Sequence, residues 1–180
     1  MKWDNHIAIA TAITLPFNPV MLPFSIIGST APDWLEYVAN ALNTKYGLVK
    51  HRTVTHILLN WLILTILMFV LSIFAGTIFT SLMWFAIGGL SHVIADMFSG
   101  NGVPVTYWSR RPSHLFGARI QYASSSEYIL AYGMLIASIL ISYQLHAVHG
   151  FFPFFYDWSG LYNDGVIDGY EWKKVRFNII

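Results

Sequence analysis

Four apolar segments separated by short polar stretches organise this chain. The first runs from about His6 to Thr30. Its middle, Leu15-Pro16-Phe17-Asn18-Pro19, should break a helix, because proline removes an N–H donor and clashes with the preceding turn. Each half is then about eleven residues, too short for a bilayer core that needs about 20. The second segment, Ile57 to Ala75, has no charged residue, and the third, Ile78 to about Phe98, carries Gly88, Gly89, His92 and Asp96 towards its end. The fourth, Tyr128 to about Leu145, follows Glu127. Segments two to four are each long enough to span. The pattern predicts an all-α membrane protein with about three transmembrane helices, an N-terminal broken or re-entrant helix pair and a C-terminal aromatic tail. Residues 1–150 form the membrane-embedded part and 151–180 an interfacial tail.

Ala75-Gly76-Thr77 joins segments two and three into an antiparallel hairpin. The loops at its other end carry Lys45, Lys50 and Arg52 on one side and Arg110, Arg111 and Arg119 on the other. The excess of Lys and Arg places those loops in the cytoplasm, and His56 and Asp96 at the same membrane face. A re-entrant first segment would bring His6 and Asp33 back to that face as well.

Composition agrees with this. The chain is 56% hydrophobic and 11% charged, against about 25% charged in soluble domains. Seven Trp and ten Tyr suit membrane–water interfaces. A net charge of +1 gives no basic field for nucleic acid, and no cysteine is present for disulfides or thiolate ligands. Any metal must sit on His and carboxylate. A cleavable signal peptide is not expected, since Asp4, His6, Pro16 and Pro19 interrupt the N-terminal apolar stretch.

His92 and Asp96 are four apart, so they share one helical face. Ionisable side chains at membrane depth are costly, and a metal pair is the sharper reading; a hydrogen-bonded helix contact is the blander one. His51 and His56 are five apart, about 140° around a helix, so His56 is the better ligand and His51 a second ligand or proton carrier. Arg52 is either a phosphate clamp or a cytoplasmic anchor. Asp33, after Pro32 and three before Glu36, reads locally as a helix N-cap with a box-like partner. His6 alone reads as a satisfied polar residue at a helix start.

Taken together, His6, Pro32-Asp33, His51-Arg52-x-x-Thr55-His56 and His92-x-x-x-Asp96 resemble the YdjM-type family of inner-membrane metal-dependent hydrolases. Leu115-Phe116-Gly117-Ala118-Arg119 and Ser124-Ser125-Ser126-Glu127-Tyr128 look like that family's approach to its last span, so the resemblance covers roughly residues 4 to 130. The order is also similar, more distantly, to zinc-dependent bacterial phospholipases C. The resemblance implies metal ligands His6, Asp33, His56, His92 and Asp96, with Asp96 a bridge, for one or two divalent ions, zinc first and manganese or iron after it. A downstream His-x-x-x-Glu is missing, and Trp3 follows Met1 and Lys2 rather than leading the chain. His51, Arg52 and His114 are the implied catalytic candidates. Arg110, Arg111 and Arg119 are the implied substrate-binding ones, although a basic cytoplasmic loop explains them equally well.

The expected function is metal-dependent hydrolysis of a phosphoester or lipid-linked substrate at the cytoplasmic membrane face, in a multi-pass inner-membrane protein. The alternatives are a membrane scaffold or assembly protein with a structural metal, possessing protein partners or a homo-oligomeric state, and an ion path through His56, His92 and Asp96. Because the chain lacks cysteine, single cysteines introduced at Ser113 and Asp164 report topology directly. Labelling is expected from the cytoplasm at 113 and from outside at 164; the reverse pattern overturns the basic-loop assignment.

Overall fold

The computed structural model describes residues 1–42, 52, 54–109, 111–117, 119–146, 162, 163, 165 and 168–170. His51, Arg110 and nearly all of the C-terminal tail lie outside these. The described residues form five α-helices: α1 Trp3–Thr14, α2 Leu22–Leu42, α3 Leu58–Ala75, α4 Thr77–Met97 and α5 Ser125–His146. Short 3₁₀ turns lie at Pro19–Met21, Val54–His56 and Leu115–Gly117, and no strand is present among these residues. The protein is all-α, as the hydrophobic pattern predicts.

The proline-rich break works as expected, with a difference in extent. α1 ends at Thr14, Pro19 opens a 3₁₀ turn, and the chain reverses into α2. Thr14 and Ser25 hydroxyls meet at 2.7 Å near the turn, while Trp3 and Asp33 meet at the other end, so α1 and α2 are antiparallel. His6 and Asp33 therefore return to one side. The second half is longer than about eleven residues, because α2 continues through Pro32 to Leu42. Asp33 thus lies inside a helix, and the N-cap reading is overturned. Pro32 removes one backbone bond, but the 21-residue helix buries residues on both sides of it, from Ser25 to Glu36, and absorbs that loss.

Gly76, at φ 79°, joins α3 to α4 in the tight antiparallel hairpin read from the sequence. Among the described residues, two helices are long and apolar enough to cross a membrane, Thr77–Met97 and Ser125–Gln144. The apolar part of α3, Leu58–Phe74, is shorter, so the count of three expected from the sequence is not reached by length alone. α3 nonetheless leaves Leu62, Ile63, Ile66, Phe69, Ile73 and Phe74 exposed among the described residues.

α4 is the central element, packed between α2 and α3, while α1 lies against α5 and α2. Two glycines set the α2–α4 spacing. A Cβ on Gly88 would come 2.1 Å from the Ser25 carbonyl oxygen, and one on Gly28 would come 2.0 Å from that of Phe85. Small residues let backbones approach closely where apolar lipid offers no hydrophobic drive for helix association. Gly89 in turn receives the Trp61 ring, since a Cβ there would meet it at 2.1 Å. Gly133 faces open space. Gly88→Ala is expected to cost roughly 1–3 kcal/mol by overpacking and to lower the thermal midpoint in detergent. Gly133→Ala is expected to leave it unchanged or raise it slightly. Tryptophan fluorescence on heating checks the pair.

Candidate metal centre

Four parts of the chain converge at the open end of the α1–α2 hairpin. α1 contributes His6, α2 contributes Asp33 and Glu36, the Val54–His56 turn contributes His56, and α4 contributes His92 and Asp96. His6, His92 and Asp96 are each 1% exposed and His56 is 0%, which excludes bulk water from all four. Two groups offer one ligand atom per residue within 4.8 Å of one another: His6, His92 and Asp96, and Asp33, His56 and His92. The His6 and His92 rings stack at 3.6 Å, and His56 stands edge-on to His92 at 5.2 Å.

Partners behind the rings fix which nitrogen faces inward. His92 Nδ1 lies 2.6 Å from the Ser29 main-chain carbonyl. An oxygen acceptor there places the proton on Nδ1 and leaves the Nε2 lone pair for the cluster. His56 Nδ1 lies 3.0 Å from Glu36 Oε1, turning Nε2 toward Asp33 Oδ1 at 3.2 Å. A ligand imidazole backed by a carboxylate or carbonyl is the usual arrangement at metal sites. Glu36 Oε1 also accepts from the Arg52 backbone N–H and the Thr55 hydroxyl, both at 2.9 Å. One carboxylate oxygen therefore ties three residues of the His51–His56 motif to α2. It also helps to hold Arg52 at φ 62°, a left-handed conformation that non-glycine residues seldom adopt.

Asp96 is surrounded by donors and imidazoles. Oδ1 accepts from the Met1 amino group at 2.6 Å and lies 3.5 Å from His6 Nε2. Oδ2 accepts from Arg52 Nη2 at 2.9 Å and lies 3.9 Å from His92 Nε2. Asp33 Oδ2 accepts from the Trp3 indole at 2.5 Å. Burial opposes the Asp33 carboxylate, but the His56 hydrogen bond, the nearby His92 and the Trp3 indole bring its pKa down to about 2. For His6 burial dominates and lowers the pKa, favouring the neutral imidazole that can donate a lone pair.

The donor set fits a divalent metal. Among the described residues, both nitrogens of His6 and Nε2 of His92 are buried without a hydrogen-bond partner. Leaving a buried polar group unsatisfied costs about 1–3 kcal/mol. A cation held by neutral imidazole and carboxylate removes that cost for the lone pairs it takes up. Nitrogen and oxygen donors without thiolate suit zinc, manganese or iron.

All five ligands expected from the sequence meet here. Arg52 is tied into the site and borders the cavity beside it. Its guanidinium pairs with Asp96 and donates to Ser99 Oγ at 2.9 Å and the Gly102 carbonyl at 3.2 Å. His114 is in neither group and contacts the Gly100 carbonyl at 3.1 Å instead. Arg111 and Arg119 are exposed and also in neither group, while His51 and Arg110 lie outside the described residues. Sequence reasoning missed Glu36, Ser29, Trp3 and the Met1 amino group. Glu36 was within reach: three residues after Asp33, it shares that residue's helical face. Two cavities open beside the cluster. One of about 240 Å³ is lined by Lys2, Trp3, Asp33, Glu36, Tyr37 and Tyr122, and one of about 400 Å³ by Arg52, Ser99, Asn101, Gln121 and Tyr122. Met1 borders both.

Comparison with known proteins places the chain in a family. The sequence model of the family described as YdjM inner membrane protein matches residues 1–151, and the chain belongs to that family. The match extends past the stretch from 4 to 130 that the motifs alone cover. No curated protein and no solved structure matches the chain. Loss of the carboxylate behind His56 is expected to leave the ligands in place but loosen them. Glu36→Ala should weaken zinc affinity about 10- to 100-fold, read by competition with a chromophoric chelator.

Proposed function

We propose that this member of the YdjM inner membrane protein family is a multi-pass, membrane-embedded metal-dependent hydrolase acting on a phosphoester or lipid-linked substrate at the cytoplasmic face. The observation that carries the reading is that His6 Nε2, facing Asp96, and His92 Nε2, facing Asp33 and Asp96, are buried without a hydrogen-bond partner among the described residues. In this reading α3 joins α4 and α5 as a third span, and the basic loops face the cytoplasm. His6, His92 and Asp96 hold the first ion. His92 offers one lone pair, because Nδ1 is committed to Ser29, so a second ion would rest on Asp33 and His56 without it.

When bound, the metal supplies a water of pKa near about 7 and an electrophile for a phosphoryl oxygen. The protein side chains do the rest. Asp33, with 14% of its side chain exposed, is the most open of the five ligands and borders the 240 Å³ cavity, where it can take a proton. The Trp3 indole fixes its second oxygen. Arg52 holds Asp96 with one arm and lines the 400 Å³ cavity, where its positive charge favours a phosphate anion. The low exposure of the whole cluster also favours a second reading, a structural metal in a membrane scaffold.

Metal analysis of the purified protein and a phosphoester turnover assay test both. The wild type is expected to carry at least one equivalent of zinc, manganese or iron. His92→Ala and Asp96→Ala are expected to lose it together with turnover. No bound metal in the wild type overturns the metal reading; bound metal with no turnover across lipid and soluble phosphoesters leaves the scaffold.

A further inference from the structure

Arg52 also borders a third cavity. It is a groove of about 350 Å³ between the start of α3 and the loop that follows α4. Val54, Ile57, Pro104 and Tyr107 make its apolar wall, and Arg52 and Arg111 supply positive charge. Thr106 and Ser109 add hydroxyls, and among the described residues no Asp or Glu lines it. Its floor is fixed, because the first N–H groups of α3 donate to the loop: Leu58 to the Pro104 carbonyl at 3.2 Å and Leu59 to that of Val105 at 3.1 Å.

The order of chemistry along this face is informative. The uncovered apolar face of α3 begins at Leu62 and Ile63, about one turn beyond the groove. Tyr107, 60% exposed, and Trp108, 80% exposed, stand at the level where α3 starts. Aromatic side chains with one polar edge settle at the headgroup boundary of a bilayer. Arg111 lines the same groove. Apolar helix face, aromatic boundary and cationic lining thus adjoin one another, as acyl chain, interface and phosphate do in a phospholipid.

We propose that this groove binds one anionic phospholipid, with its phosphate against Arg111 and its first acyl carbons along Val54, Ile57 and the exposed face of α3. An exposed arginine among the described lining residues, none of them Asp or Glu, selects for anionic over zwitterionic headgroups. The site touches the metal groups only through Arg52, and it stands whether or not the buried cluster turns over a substrate.

Native mass spectrometry of the delipidated full-length protein in detergent, titrated with phosphatidylglycerol and with phosphatidylcholine, tests this. The wild type is expected to retain one phosphatidylglycerol in clear preference to phosphatidylcholine. Arg111→Gln, an exposed substitution that leaves the helices alone, is expected to reduce that preference about fivefold. Val54→Asp, which puts an acid in the groove, should reduce it at least as much. Arg119→Gln, exposed but outside the groove, should leave it unchanged. Equal retention of the two lipids by the wild type overturns the proposal. So does an Arg119→Gln effect as large as that of Arg111→Gln, because loop charge alone would then suffice. Displacement of the lipid by excess glycerol phosphate also overturns it, since the groove would then be an anion site that does not read the chain.

Discussion

Three imidazoles and two carboxylates, taken out of water and placed within a few ångströms of one another, set the terms for the rest of this fold. Neither kind of group can be buried alone: a carboxylate needs cations or donors, and an imidazole nitrogen needs a proton acceptor or something to accept its lone pair. The structure answers most of these demands from outside the cluster. A main-chain carbonyl, a third carboxylate, an indole, an arginine and an amino group all point at it. The remaining demands belong to nitrogens that face one another across the space between α1 and α4.

Holding five such residues together requires helices of unequal length to end at the same level. α1 is short, and it is tied to α5 rather than to a long partner of its own. Buried Glu127, at the first turn of α5, accepts from the Lys2 backbone N–H at 2.6 Å, Asn5 Nδ2 at 2.6 Å and the Ala123 backbone N–H at 2.8 Å. The Ser138 hydroxyl donates to the Ala12 carbonyl at 2.7 Å further along. These contacts set the height and rotation of α1, and with them the position of His6. α2 is fixed by a different device, the glycine contacts with α4. The cluster is therefore supported by hydrogen bonds on one side and by backbone proximity on the other.

Much of this was legible in the sequence, for identifiable reasons. Long apolar runs with few charges mark helices whatever their partners, so α3, α4 and α5 were found to within a few residues. The Pro16/Pro19 break was legible because proline acts locally. The extent of α2 was not, because Pro32-Asp33 carries the same local signal as a helix start, and only packing against α4 carries the helix past it. His92 and Asp96 were legible from spacing on one helix. The union of His6, Asp33 and His56 with them rested on resemblance, since no local rule joins residues on different segments. The sequence context of Arg52 fits a clamp or an anchor equally, because it does not show Asp96. Glu36 was hidden by a plausible capping pattern. The order of ligands along the chain, rather than any single motif, carried the information.

The partner of His92 has a consequence of its own. Its Nδ1 is held by the Ser29 carbonyl, not by a side chain, so the acceptor exists whatever amino acid stands at position 29. Control of the ring has been moved from the genetic identity of one residue to the register of two helices. A slide of α2 along α4 by a fraction of a turn would carry the carbonyl away and let the imidazole rotate. The nearest obstacle to such a slide is the contact of Gly88 with the backbone around Ser25, four residues before Ser29 on α2 and four before His92 on α4. The centre thus works as a gauge of helix alignment, and substitutions that shift that alignment can retune it without touching a ligand.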